Sequence, residues 1–201
     1  ADLKDYLLGG ALAASVRAEI NNAGTTRIDA NFDLARAAVA IPEIGWRKEH
    51  GPTASLATTV VVQGTELSSV PRVRAVGPDL DVEGSLRFAP NGLASRIEAT
   101  RLVSGRTDVT VIAGQRDRHS WTIQLLGPSL DLAPLIANLG GREGAGQPFD
   151  ISVSADVATL WTSETGGFEN VKLIAVYADR PLEMDQLNAG LTVGASVHLS
   201  I

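Results

Sequence analysis

From Leu12 onward, apolar and polar residues alternate through most of the chain, the two-residue side-chain period of a strand with one covered face. Leu12, Ala14, Val16, Ala18 and Ile20 fall on one side of the first such stretch, and Ser15, Arg17 and Glu19 on the other. After a turn at Asn21 to Gly24, Ile28, Ala30, Phe32 and Leu34 return against Arg27, Asp29, Asn31 and Asp33. This predicts a hairpin with one apolar and one polar face. Before it, Asp5 to Ala11 reads as a brief helical turn or a loop ended by Gly9 and Gly10.

The pattern loosens between Ala35 and Gly51, where Pro42 separates Val39 and Ile41 from Ile44 and Trp46. It returns with Leu56, Thr58, Val60 and Val62. Val73 and Ala75, flanked by Pro71 and Pro78, read as an edge or a bend. Leu80, Val82, Leu86 and Phe88 lead to the turn Pro90-Asn91-Gly92; Ile97 and Ala99 lead to Ser104-Gly105; and Val109, Val111 and Ala113 lead to a polar loop at Gln115 to Arg118. Strands in succession joined by short turns make a β-meander. Later, Phe149, Ile151, Val153, Ala155 and Val157 alternate with Asp150, Ser152, Ser154 and Asp156. Leu173, Ala175 and Tyr177 follow the turn at Gly166-Gly167, and further strands are expected near Leu182 to Leu187 and at Val197, Leu199 and Ile201.

One stretch differs. In Ser120 to Leu139 an alternating strand (Trp121, Ile123, Leu125) meets Gly127 and Pro128, which are expected to stop it. Asp131 is placed to cap a short helix, Pro134 is tolerable in its first turn, and Gly140-Gly141 can end it. Leu132, Leu135, Ile136 and Leu139 would share one helix face. FDLARAAVAIPEIG (32–45) and LDLAPLIANLGG (130–141) share an opening Asp-Leu-Ala phrase and lead through a glycine-containing loop into a new alternating strand, a faint internal echo.

Composition narrows the function classes. The 201 residues are 44% hydrophobic but only 4% aromatic, so small aliphatic side chains must build whatever core there is. A net charge of -6 with scattered arginines argues against a nucleic-acid footprint. Cysteine is absent, which removes disulfides, thiolate metal sites and a thiol nucleophile. His50, His119 and His198 lack metal-site spacing. Ser129 beside Asp131 lacks the second glycine of a nucleophile elbow, and Gly140 to Gly146 lacks the Lys-Ser/Thr of a phosphate loop. Asp150, Ser152, Ser154 and Asp156 line one strand face, where a solvated surface is the simpler reading than a calcium or acid-base site. Trp46, Trp121 and Trp161 read as plugs or rim residues. No enzyme, cofactor or metal is therefore expected.

The fold class predicted is mainly β: a curved antiparallel meander sheet, groove-like or sandwich-like, with one or two short helices. The chain reads as one β-rich module spanning residues 1–201, with a subdivision at 1–127 and 128–201 as the alternative, and as a piece cut from a longer repeat-containing protein. Covering the apolar faces of about ten strands is the central problem, since one helix of nine residues reaches only about 13 Å. Either the sheet closes on itself or part of its apolar face stays open as a furrow.

The phrases WTIQLLGPSLDLAPLIANL (121–139), FDISVSADVATLW (149–161) and FENVKLIAVYAD (168–179) together resemble the AsmA-like envelope proteins of Gram-negative bacteria, especially the long YhdP-type branch. FDLARAAVAIPEIGWRKEHGPTASLATTVVVQG (32–64) is similar to that branch's recurring strand-loop-strand unit. The resemblance implies a parent protein anchored in the inner membrane and projecting into the periplasm. It implies phospholipid as the ligand, moved toward the outer membrane along a β-sheet groove, with other envelope proteins as partners.

The candidate groove lining follows from the apolar side of each strand. It comprises Val16, Ile28, Phe32 and Val60; Val82, Leu86 and Ile97; Val109 and Val111; and Ile123, Leu125, Ile151 and Val153. The same residues would form the dry core of a structural or assembly domain with a closed β core and a protein-binding edge strand, which is the alternative function.

Overall fold

The structure, a computed structural model, describes residues 6–117, 120–133, 150–163 and 165–178. Within them the chain forms β1 (Leu7–Gly10), β2 (Ala13–Ile20), β3 (Thr25–Asp33), β4 (Ala37–Ile41), a 3-10 turn at Pro42–Ile44, β5 (Trp46–Lys48) and β6 (Ser55–Gln63). There follow β7 (Glu66–Gly77), β8 (Leu80–Phe88), β9 (Ala94–Ser104), β10 (Thr107–Asp117), β11 (Ser120–Asp131), β12 (Asp150–Trp161) and β13 (Gly167–Ala178). The protein is mainly β, and its large sheet is not closed into a barrel.

That sheet has ten strands in the order β13-β12-β11-β10-β9-β8-β7-β6-β3-β2. A second sheet, β1-β4-β5, joins the first strand to two strands inserted between β3 and β6. Most neighbours are joined by short antiparallel turns, as the meander reading requires. β3 and β6 pair antiparallel across the β4–β5 segment, and among the described strands β11 alone pairs in parallel, with β12 over its whole length, Ser120 opposite Asp150 and Asp131 opposite Trp161. Strand-like alternation is the same for both pairing senses, so the pattern alone does not announce this joint.

Three local expectations are corrected. Gly127 and Pro128 do not end β11, which continues to Asp131. The pairing with β10 shifts register between Asp108 and Thr110. A Cβ on Gly127 would lie 2.3 Å from the Asp108 carbonyl oxygen, so glycine there permits a close backbone approach inside a strand. Pro71 likewise lies within the twelve-residue β7, at a shift of register between Val70 and Val73, where a missing N–H is tolerated. Gly9 and Gly10 belong to β1, and a Cβ on Gly10 would sit 2.2 Å from the Arg36 carbonyl oxygen. The alternative boundary between residues 127 and 128 falls inside β11. The short helix expected beyond Pro134 and the strands expected at 182–187 and 197–201 lie outside the described residues.

The small sheet packs on one end of the large one. Trp46 is buried and donates its indole N–H to the Pro78 carbonyl at 2.7 Å. Gly77 leaves room for the ring, since a Cβ there would lie 2.9 Å from it. The Ser104 hydroxyl donates to the Ile44 carbonyl at 3.3 Å. Lys48, only 3% exposed, donates to the carbonyls of Leu34, Ala37 and Glu49 at 2.7–2.9 Å, holding the insertion against its own entry. Toward β13 the same end carries the main buried cluster, Val109, Leu130, Ala155, Val157, Leu160 and Val171.

Both Asp-Leu-Ala phrases end a strand in the same way. Asp33 Oδ1 accepts from the Ala35 N–H at 2.9 Å, and Asp131 Oδ1 from the Ala133 N–H at 3.0 Å. Asp131 is further held by Arg106, which also lies 4.8 Å over the Trp161 ring.

Candidate functional site

Register decides which side chains meet. Residues directly opposite in neighbouring strands share a face, and one row of opposite residues crosses all ten strands of the large sheet. It runs Val16, Ala30, Thr58, Val73, Gly84, Ala99, Val111, Leu125, Ala155, Leu173. Thr58 is its one polar member, and five of the ten are no larger than alanine or threonine.

Bulkier rows flank it. On one side Ile28 faces Val60, Leu86 faces Ile97, Ala113 faces Ile123, and Ile123 faces Val153. On the other side Phe32 faces Leu56, Val82 faces Leu102, and Leu102 faces Val109. Ile151 stands opposite Trp121 one step further out. All thirteen candidate lining residues therefore lie on one face of one sheet. From β3 to β9 the row is lower than its flanks, a floor of Ala30, Thr58, Val73, Gly84 and Ala99 that extends about 19 Å with strands about 4.8 Å apart, while Val111, Leu125 and Leu173 fill it toward β13.

Glycine at the floor has a cause: a Cβ on Gly84 would meet the Glu98 carbonyl oxygen at 2.3 Å. Sequence reading identified the face but missed this relief. Val73, Gly84 and Ala99 were not among the candidates, because floor and wall are distinguished only by which residues stand opposite one another.

The furrow is open to different degrees along its residues. Val109 is buried, at 2% exposure, and Val16 is exposed, at 61%; the other eleven candidates are half-buried. Val111 and Leu125 pack against the buried cluster, so they belong to the covered part of the face.

The opposite face is laced with charge. Arg17 stands opposite Asp29 and Glu19 opposite Arg27. Arg74 pairs with Asp81, which also accepts from Arg101 at 2.7 Å. Lys172 meets Asp156 at 3.2 Å. Hydrogen bonds from Arg27 and then Thr59 hold the Asp29 carboxyl below its ordinary range, and the same bond to Asp29 raises Arg27. Asp150, Ser152, Ser154 and Asp156 lie along this polar side, in register with Thr122 and Gln124 for the serines.

The other chemical candidates resolve into structural roles. Ser129 accepts the Trp161 indole N–H at 3.1 Å, and Asp131 is engaged by Arg106 and by the backbone. His50 is exposed beside the small sheet, while His119 and His198 lie outside the described residues, as does the loop 140–146. Among the described residues no group of three His, Cys, Asp or Glu could hold a metal ion. No described helix is long and apolar enough to cross a membrane. A depression of about 580 Å³ at the far end of β7 to β9 is lined by Ser68, Ser69, Ser85, Arg87 and Ser95 with Pro71, Leu86 and Phe88, without a carboxylate or imidazole to move a proton.

Comparison with protein-family models, with curated proteins and with solved structures finds no match for this chain.

Proposed function

We propose that the chain is a non-enzymatic lipid-binding module, in which the furrow on the apolar face of the large sheet carries the acyl chains of a phospholipid. The observation that carries this reading is the floor of small residues from β3 to β9, set between aliphatic rows and left partly open to water. An acyl chain in water costs about 0.8 kcal/mol per CH2, so an apolar surface of this length lowers that cost without any reaction chemistry. A lining of Ala, Val, Leu and Ile, with few aromatic or polar groups, suits a ligand that must slide. The resemblance to AsmA-like proteins supports the same reading and, with it, a place on the periplasmic side of a Gram-negative envelope, in a parent protein anchored to the inner membrane and working with other envelope proteins.

The test is native mass spectrometry of the purified protein, with solvent extraction and lipid analysis. Phospholipid at defined stoichiometry is expected, and it should be lost in Val82→Asp and Ile97→Asp variants that remain folded. Ala99→Phe, which fills the floor without adding charge, should also reduce uptake of a fluorescent acyl probe.

A second reading is a structural or assembly domain of the envelope with a closed core. It is favoured by the buried cluster around Val109, Val157 and Leu160. A lipid-free protein that takes up no acyl probe would select it.

A further inference from the structure

The outer edge of β2 is a row of main-chain donors and acceptors with no described strand beside it, since β2 pairs with β3 alone in the large sheet. All eight of its residues are exposed, with Val16 at 61% and Ile20 at 76%. Edge strands are ordinarily guarded by a proline, a bulge, a lysine or a covering loop. β2 contains neither Pro nor Lys and its register with β3 is unbroken from Ala13 to Ile20, so its guard is the pair of opposite charges Arg17 and Glu19, which a partner strand of matching charge satisfies.

We propose that β2 is a dimer interface, pairing antiparallel with β2 of a second copy about a twofold axis through Ala18. The hairpin sets which residues can bond outward. Asn21 N–H donates to the Thr25 carbonyl at 3.0 Å. Counting back in twos, Glu19 and Arg17 exchange bonds with β3, while Val16, Ala18 and Ile20 direct theirs outward. Four symmetric registers place the axis on Val16, Arg17, Ala18 or Glu19; centred on Val16, Arg17 of each copy faces the partner's Ser15 and no charges meet. Centred on Arg17, the two arginines oppose each other; centred on Glu19, the two glutamates do. Centred on Ala18, Arg17 of each copy stands opposite the partner's Glu19, and Val16 opposite the partner's Ile20.

Opposite charges favour directly opposed positions and like charges disfavour them, so charge selects the Ala18 register. The strand already shows this complementarity toward β3, where Arg17 faces Asp29 and Glu19 faces Arg27. In a single copy Arg17 and Glu19 form an exposed ion pair with each other, 2.8 Å apart along the strand, beside their neighbours Asp29 and Arg27 on β3. A twofold axis perpendicular to the sheet keeps both apolar faces on the same side. Two ten-stranded sheets then join as one continuous apolar face. The pairing depends on the edge alone and holds whatever that face carries.

Sedimentation velocity over a concentration series tests it. The wild-type chain should be in monomer–dimer equilibrium. Arg17→Glu and Glu19→Arg, each alone, place two like-charge pairs across the axis and should weaken the dimer about tenfold or more. An equimolar mixture of these two variants restores both opposite-charge pairs and should re-form dimers. Variants that had merely loosened β2 from β3 would not be rescued by mixing. A wild-type monomer at every concentration, single variants that associate as tightly as wild type, or a mixture no better than its components would each overturn the proposal.

Discussion

The two ends of the large sheet are built from the same kinds of residue and differ in what covers them. At one end β7 finishes at Gly77, β8 starts at Leu80, and β9, β11 and β12 finish at Ser104, Asp131 and Trp161. Here Trp46, Leu80, Leu130, Val157 and Leu160 are all buried. At the other end, marked by Ile28, Val60, Leu86, Ile97, Trp121 and Ile151, the apolar side chains are half-buried. Composition does not distinguish the ends. The difference comes from the small sheet and from Leu132, which packs on the buried cluster just after β11. A one-sided strand face thus becomes core or furrow according to its cover.

Charge should separate the two ends most strongly. Val157→Asp buries an unpaired carboxylate among Val109, Leu160 and Val171 and is expected to cost about 4 kcal/mol or more, while Ile97→Asp on the open side should cost about 1–2 kcal/mol. Chemical denaturation of both variants measures the gap, and equal costs would mean the open end is as covered as the packed one. Removing the cover comes next. Trp46→Ala should destabilise by about 3–5 kcal/mol through the cavity it leaves, with faster amide exchange across β4 and β5. Lys48→Met strips a donor from three main-chain carbonyls and should cost about 2–3 kcal/mol by the same denaturation assay.

Filling the floor with Ala99→Phe should alter stability by less than about 1 kcal/mol, because its face is open, while acyl-probe uptake falls. A large loss of stability would make Ala99 part of a closed core. The smallest effect is expected at Asp29. Its carboxyl is held below the ordinary value of 3.8 by hydrogen bonds from Arg27 and Thr59. Its contribution is therefore complete above that value and is lost as pH falls through the lowered one. Asp29→Asn should therefore lower stability slightly at neutral pH, with the difference from wild type in a stability-versus-pH curve vanishing as pH falls through the lowered value.

Much of this architecture is legible in the alternation itself. A period of two assigns Val16, Val82, Ile97 and Val153 to one face before any strand is paired, because successive side chains in a strand point to opposite sides. Pairing is what the pattern omits. Gly127, Pro128 and Pro71 carry the usual signals of strand ends, yet each lies where register shifts between neighbours, and backbone geometry there overrides local preference. Gly9 and Gly10 likewise resemble a turn, and only the approach of the Arg36 carbonyl explains a glycine at position 10. The floor of the furrow depends on Ala30, Gly84 and Ala99 falling in one row, a relation between strands distant in sequence.

The parallel joint between β11 and β12 carries a consequence for how the chain acquires its structure. From β6 to β11 every strand pairs with the one just made, so the sheet can grow by successive short-range hairpins. β12 and β13 form a hairpin of their own, but Ser120 must find Asp150 and Asp131 must find Trp161 across a long loop closure. Contacts of high sequence separation are late and slow to form. Assembly is therefore expected to join three locally made units, β2–β3, β6–β11 and β12–β13, through a closure at β3–β6 and a docking step at β11–β12. That step completes the cluster of Val109, Leu130, Val157 and Leu160, and until then the apolar edge of β11 is the surface on which a newly made chain is most prone to aggregate.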